Sequence, residues 1–178
     1  MAILAGIESL RQHVRRLQIQ RDDFRPDCCP HCGQQGLWYH GWYGRQSSRR
    51  GLEQLTVDPI PIPRFLCPRC GRTCSCLPEA IPPRRWYLWD VQQLALYLLL
   101  GGTSLNDLAR QLQPCRQTLK RWWQRLRDRF DLQASTLRSH FAELGRWPGF
   151  AAFWSHCLDT MPLSGAMLCL YQAGVSIP

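Results

Sequence analysis

The sequence predicts an α+β chain: a small, β-rich, metal-held ribbon followed by an all-α helix-turn-helix and C-terminal helices. Three observations predict it. Two near-identical turns, Cys29-Pro30-His31-Cys32-Gly33 and Cys67-Pro68-Arg69-Cys70-Gly71, each set two thiols three positions apart, ahead of a glycine. Between them lie β-favouring aromatic and β-branched residues interrupted by proline. After Trp89 the apolar spacing becomes helical, punctuated by Gly101-Gly102 and Pro114.

Two Cys at the CxxC spacing ligate one ion from a tight turn, with the glycine free to take a positive φ. Two such turns supply four thiolates. The expected site is a closed tetrahedral zinc centre on Cys29, Cys32, Cys67 and Cys70, a zinc ribbon with one structural Zn2+.

At 178 residues and 45% hydrophobic content, the chain suits one compact domain or two small ones. Ten cysteines would suit disulfides in a secreted protein, but Met1 to Leu10 lacks a signal-peptide pattern. The longest apolar run, Leu94 to Leu100, is too short to span a bilayer. Paired CxxC turns therefore read as metal ligands. The expected setting is cytoplasmic and nucleoid-associated, with no membrane partner.

The formal charge is +9, carried by 21 Arg and Lys120. Residues 1–89 hold 13 basic and 7 acidic side chains, residues 90–130 hold 7 and 3, and residues 131–178 hold 2 and 3. A basic front and a neutral tail point to a polyanion as partner of the first two-thirds.

Taken in order, residues 1–27 read as an N-terminal basic amphipathic helix over 3–20, with Ile3, Ile7, Leu10, Val14 and Leu17 on one stripe. Residues 28–77 form the ribbon. Its strands are Leu37 to Tyr43 and Ile60 to Leu66, the latter edge-like because of Pro61 and Pro63. Gln46 to Gly51 is a basic loop. Cys74 and Cys76 alternate on a return strand and read as small buried hydrophobes. A second metal on Cys28, His31, Cys74 and Cys76 is disfavoured, because Cys74 and Cys76 are too extended to form a knuckle.

Residues 78–89 read as a Pro-rich linker. Residues 90–130 then carry three helices. Asp90 caps the first and Gly101-Gly102 stops it. Thr103 or Ser104 caps the second, Pro114-Cys115 breaks it, and a longer helix runs from Arg116 to Phe130. Leu105, Leu108, Ala109 and Leu112 face Leu119, Trp122 and Leu126 across the break. This is a helix-turn-helix pattern, with Gln113-Pro114 in place of the usual turn glycine. Its second helix would offer Arg116, Gln117, Thr118, Lys120 and Arg121 to base edges, with Arg125 further along for phosphates. Arg45, Arg49, Arg50, Arg64, Arg84 and Arg85 would track the backbone of double-stranded DNA. Residues 131–178 are apolar and charge-poor, a helical segment for packing or oligomerisation, with a homodimer as the second option.

The run Cys29-Pro30-His31-Cys32, then Pro63-Arg64-Phe65-Leu66-Cys67-Pro68-Arg69-Cys70-Gly71-Arg72-Thr73-Cys74-Ser75-Cys76-Leu77-Pro78, then a helix-turn-helix, resembles the N-terminal region of bacterial insertion-sequence transposases. In that family a zinc ribbon ending in Arg-Arg-Phe-x-Cys … Cys-x-Arg-Thr-Phe precedes a helix-turn-helix that binds the element's terminal repeats. The resemblance covers residues 28–130. It implies zinc on Cys29, Cys32, Cys67 and Cys70, and DNA contacts from the helix starting near Arg116. Cys74 stands where the family has Phe, and no counterpart of the family's catalytic domain follows residue 130.

Strand transfer needs three carboxylates on two metal ions, and residues 131–178 offer only Asp131, Glu143 and Asp159. No Ser/His/Asp or Cys/His arrangement and no phosphate-cradling glycine loop appears. The expectation is therefore a non-catalytic, zinc-stabilised, sequence-specific DNA-binding protein, a transposon-associated accessory or regulatory factor. The alternative is a protein-interaction adaptor docking a separate transposase, recombinase or polymerase subunit.

Overall fold

The chain's helices and strands segregate as the sequence pattern predicts, into a mixed α+β architecture. The structure, a computed structural model, describes residues 2–46, 59–83 and 85–175. Two compact units divide it: residues 1–88 hold the strands, and residues 89–178 are helical. Of the five segments read from the sequence, 1–27 and 28–77 fall in the first unit and 90–130 and 131–178 in the second, while 78–89 crosses the boundary at Leu88.

The first unit begins with a strand rather than a helix. β1 (Ala2–Leu4) pairs in parallel with β5 (Cys76–Pro78). The helix expected over 3–20 is confined to α1 (Leu10–Ile19). Its start is fixed by a capping box: Ser9 Oγ accepts from the Gln12 N–H, and Gln12 Oε1 accepts from the Ser9 N–H. Ile3 therefore sits in a strand, outside the helical stripe.

β2 (Trp38–Arg45), β3 (Ile60–Leu66) and β4 (Thr73–Cys74) form an antiparallel sheet in that order. β3 is the middle strand, yet it keeps two prolines. Only Phe65 and Leu66 pair with β4, so Pro61 and Pro63 lie where β3 has β2 as its single strand partner. The β2–β3 register slips between Tyr39 and Trp42, and Gly41 takes a φ of 81° in that bulge.

The free side of β3 is covered by α1. The buried His13 imidazole donates from Nε2 to the Pro61 carbonyl at 2.8 Å and meets Phe24 edge-on at 5.1 Å. Ile7, Phe24, Leu37, Phe65 and Cys74 form one core with the Cys29 and Cys67 side chains. Ile60, Ile62, Leu77, Ile81 and Leu88 form a second. Residues after Pro78 are tied in as well. Glu79 and Ala80 donate their N–H groups to the Leu4 and Ile7 carbonyls, and the buried Glu79 carboxylate accepts from the Gly6 N–H.

In the second unit, α2 (Trp89–Leu100), α3 (Leu105–Gln111) and α4 (Arg116–Asp128) pack pairwise. Asp90 accepts from the Val91 N–H, and Ser104 caps α3 by accepting from the Asp107 N–H. α4 ends at Asp128, two residues short of the expected Phe130, because Phe130 opens α5 (Phe130–His140). The cause is tertiary: Phe130 stacks edge-on against Phe150 and Phe153, at 5.4 and 5.5 Å. α6 (Phe150–Thr160) and α7 (Leu163–Gln172) complete a core with Leu96, Leu126, Leu137, Trp154 and Met167. The apolar C-terminal helices thus bury themselves against their own unit.

Burial lowers the His13 pKa below 6.5, with the Pro61 carbonyl acting in the opposite direction. Below about pH 6.5 the unfolded chain takes up a proton that the folded one refuses, so acidification destabilises the first unit. Urea unfolding at pH 7 and pH 5.5 should show that loss reduced in His13→Gln, by up to ~1.4 kcal/mol per pH unit. Equal slopes in the two proteins would refute the role given to His13.

Candidate metal centre

The two CPxCG turns adopt the same backbone. Cys29 exchanges backbone hydrogen bonds with Gly33 and Gln34: the Gly33 N–H donates to the Cys29 carbonyl at 2.9 Å, and the Cys29 N–H to the Gln34 carbonyl at 2.8 Å. Cys67 repeats this with Gly71 and Arg72, at 3.0 and 2.9 Å. Gly33 and Gly71 sit at φ 72° and 65°, a region L side chains enter at a cost of ~1–2 kcal/mol. Glycine is needed there for the chain to fold back over its own cysteines.

The sheet delivers the second turn to the first. β3 runs into Cys67, and β4 leaves from Arg72, so the knuckle is the connection between two paired strands. The four sulfur atoms of Cys29, Cys32, Cys67 and Cys70 all lie within 4.8 Å of one another. Cys29 Sγ is 3.7 Å from Cys70 Sγ, and Cys32 Sγ is 3.6 Å from Cys67 Sγ. Four thiolates around one tetrahedral ion, at a metal–sulfur distance of about 2.3 Å, stand about 3.8 Å apart. The tetrad can hold a metal ion.

Its electrostatics favour an ion as well. Burial raises the Cys67 thiol, but the Cys70 and Arg69 N–H groups and the neighbouring thiols outweigh it and bring the pKa down to about 7. The Gln34 N–H lowers Cys32, yet burial and the other three thiols push it up to about 11. A thiolate forms readily in this pocket, but thiols this close resist losing every proton until a cation replaces them.

The other candidate ligands are placed elsewhere. His31 Nδ1 accepts from the Arg72 guanidinium at 3.3 Å, a bond that ties one knuckle to the other. Cys74 and Cys76, expected on one side of a single strand, fall in β4 and β5 of different sheets, and both are buried. Cys74 Sγ donates to the Phe65 carbonyl at 3.7 Å, and burial pushes the Cys76 thiol up to about 11. Cys28 is exposed. Among the described residues no other His, Cys, Asp or Glu cluster is assembled for a metal.

The residues assigned to DNA sort into three groups. Arg116, Gln117, Lys120, Arg121 and Arg125 are exposed along α4, opposite the buried Leu119, Trp122 and Leu126, with Thr118 half-buried. Among the described residues none of the four cations in that set enters an ion pair. Arg49, Arg50 and Arg84 lie outside the described residues. Arg85 is half-buried, and its carbonyl accepts from Arg45. Arg45 itself turns inward and also donates to the Pro82 carbonyl at 2.7 Å, while burial lowers its pKa. Arg64 donates to Thr73 Oγ1 at 2.8 Å. Arg45 thus serves the fold, which a charged residue at a strand end does not signal in sequence.

Residues 29–122 match the DUF6431 family, a domain of unknown function, and the chain belongs to that family. The match opens on the first thiol of the tetrad and ends on Trp122 in α4. No curated protein and no solved structure matches the chain.

A structural ion of this kind contributes on the order of 10 kcal/mol to folding. Cys70→Ser should lose the bound ion and leave residues 1–88 open to protease. The far-UV helical signal of residues 89–178 should persist, because their core draws on none of the first 88 residues. Helical signal lost throughout would refute that independence. Gly71→Ala should weaken metal retention roughly tenfold, through the ~1–2 kcal/mol strain at positive φ, as measured by competition with a chelator.

Proposed function

We propose that the chain is a zinc-stabilised, sequence-specific binder of double-stranded DNA, an accessory or regulatory factor of a transposable element. Zinc suits the tetrad because four thiolates in a closed tetrahedral set are its structural coordination mode. The ion's role in this reading is to hold the first unit together at the tetrad, and the chain binds rather than catalyses.

The observation that carries DNA binding is the beginning of α4. Its first turn holds no acidic residue, and its cap position is Cys115, where Ser, Thr, Asp or Asn would be favoured. Arg116 instead places positive charge in the first turn, at the end of the helix that is already positive, and Lys120 and Arg121 follow in the second turn. α3 follows the opposite rule, with a Ser104 cap and Asp107 in its first turn, while α1 shares the acid-free first turn but is capped by Ser9. A helix that violates local preference at an exposed end, while its far face is anchored by Leu119, Trp122 and Leu126, is built to meet an anion. Gln117, Lys120, Arg121 and Gln124 recur at helical spacing on that exposed side. Arg pairs bidentately with guanine and Gln with adenine in the major groove.

The pairwise packing of α2, α3 and α4 supports the helix-turn-helix reading. The link to a transposable element rests on the resemblance of the CPxCG turns and the Arg-Thr-Cys exit to insertion-sequence transposases. The adaptor alternative draws on the ribbon and on the apolar C-terminal helices as docking surfaces. Those helices bury their apolar faces in their own core, which favours the DNA reading.

Selection from a random duplex pool with zinc-loaded protein should return one enriched motif. Gln117→Ala should relax preference at one base pair, by ~1–3 kcal/mol of discrimination. Arg116→Ala and Lys120→Ala should each lower affinity and reduce the slope of log K against log salt by about 1. No enrichment, or unchanged affinity in the double variant, would overturn the reading.

A further inference from the structure

The first unit leaves large apolar side chains in water, and they are mostly of one kind. Among its described residues these are Ile19 and three tryptophans, Trp38, Trp42 and Trp86. Trp38 and Trp42 lie on β2, 61% and 62% exposed, with His40 also exposed between them. β2 is an edge of its sheet, paired on one side by β3. The neighbouring Tyr39 is handled differently: it meets Phe65 edge-on at 6.0 Å and is covered by the Arg21 guanidinium at 3.9 Å. Among the described residues neither Trp38 nor Trp42 has an aromatic or cationic ring partner.

The ribbon's own charge is one-sided, and Asp22 and Asp23, brought near β2 by Arg21 over Tyr39 and Arg25 on the Leu37 carbonyl, are each paired with an arginine, Arg25 and Arg16. The described ribbon residues, 28–46 and 59–78, contain no Asp or Glu. They carry Arg45, Arg64, Arg69 and Arg72, of which Arg69 and Arg72 are exposed. An apolar protein partner has no need of an acid-free setting, whereas a polyanion does. Exposed π-faces on an acid-free strand pair that runs into the exposed Arg69 and Arg72 are the chemistry that stacks unpaired bases and holds the backbone beside them. A closed duplex hides those faces, so this surface asks for something α4 does not.

We infer that β2 is a second nucleic-acid contact, on which Trp38 and Trp42 stack the bases of a single DNA strand. The inference stands on the ribbon alone and does not need α4 to bind DNA. It gives the ribbon a role beyond holding a metal: engaging DNA where its strands are separated, as at an opened or nicked end.

The test measures anisotropy of a fluorescein-labelled oligo-dT and of a labelled duplex with the zinc-loaded full chain. Trp38→Ala/Trp42→Ala should weaken oligo-dT binding at least about tenfold and leave duplex affinity unchanged. Trp38→Phe/Trp42→Phe, which keeps a stacking ring, should stay within about threefold of wild type. Arg116→Ala/Lys120→Ala should show the reverse pattern, so failure of the α4 reading leaves the oligo-dT result intact. Zinc content reports whether each variant's ribbon is folded. Should the alanine pair lose zinc, photocrosslinking of wild type to bromodeoxyuridine-substituted strands decides, with the adduct expected on the peptide holding Trp38 or Trp42. Wild type that ignores oligo-dT, equal oligo-dT affinity in a zinc-loaded alanine pair, or adducts confined to other peptides would overturn the inference. So would a wild-type dimer that the alanine pair dissolves without any change in oligo-dT binding.

Discussion

The convergence of four sulfur atoms from two turns is the constraint on which the first unit depends. Cys29 and Cys70 stand 41 positions apart in sequence and 3.7 Å apart in space. A small sheet with one partner strand along most of β3 buries too little to close such a loop unaided. A tetrahedral ion in the tetrad would replace that missing burial with strong, directional bonds. With the knuckles fixed, β3 and β4 are set in register, Phe65 and Cys74 enter the core, and the edge of β3 is presented to α1.

The helical unit obeys different physics. No metal or unusual backbone is needed, because aromatic and aliphatic side chains from α2, α4, α5, α6 and α7 fill one core. That core releases the outward side of α4 from any duty in packing. A helix whose buried face alone secures it can afford an unfavourable charge distribution at its exposed start. The two units thus divide the work: coordination at the tetrad would stabilise one, burial stabilises the other, and each leaves basic chemistry facing outward.

Much of this was legible wherever the signal was local. The CPxCG turns carry their ligand spacing and their glycine within five residues, and the tetrad assembles from the four cysteines they nominate. Ser104, Gly101-Gly102 and Pro114 delimit α2, α3 and α4 by the ordinary rules of caps and breakers, whereas α2 begins at Trp89 and takes Asp90, the expected cap, into its first turn. What stayed hidden was non-local. The pairing of β1 with β5 joins three-residue strands more than 70 positions apart, too short for any periodicity. Ile3 and Ile7 matched a helical stripe by coincidence of spacing, whereas the Ser9-x-x-Gln12 box, a local signal, marked the true start. Nothing near Arg129 announces the end of α4, because Phe130 leaves the helix for partners in α6. Arg45 turned inward for carbonyls that only the folded chain brings to it.

The central claim is that one tetrahedral ion, bound by these four thiolates and no other ligand, organises the first unit. X-ray absorption at the zinc edge, on protein purified with its native metal, tests it most directly. One zinc per chain by elemental analysis and a first shell of four sulfur atoms at about 2.3 Å are expected. A shell containing nitrogen or oxygen, or protein that keeps its sheet with no metal bound, would contradict it.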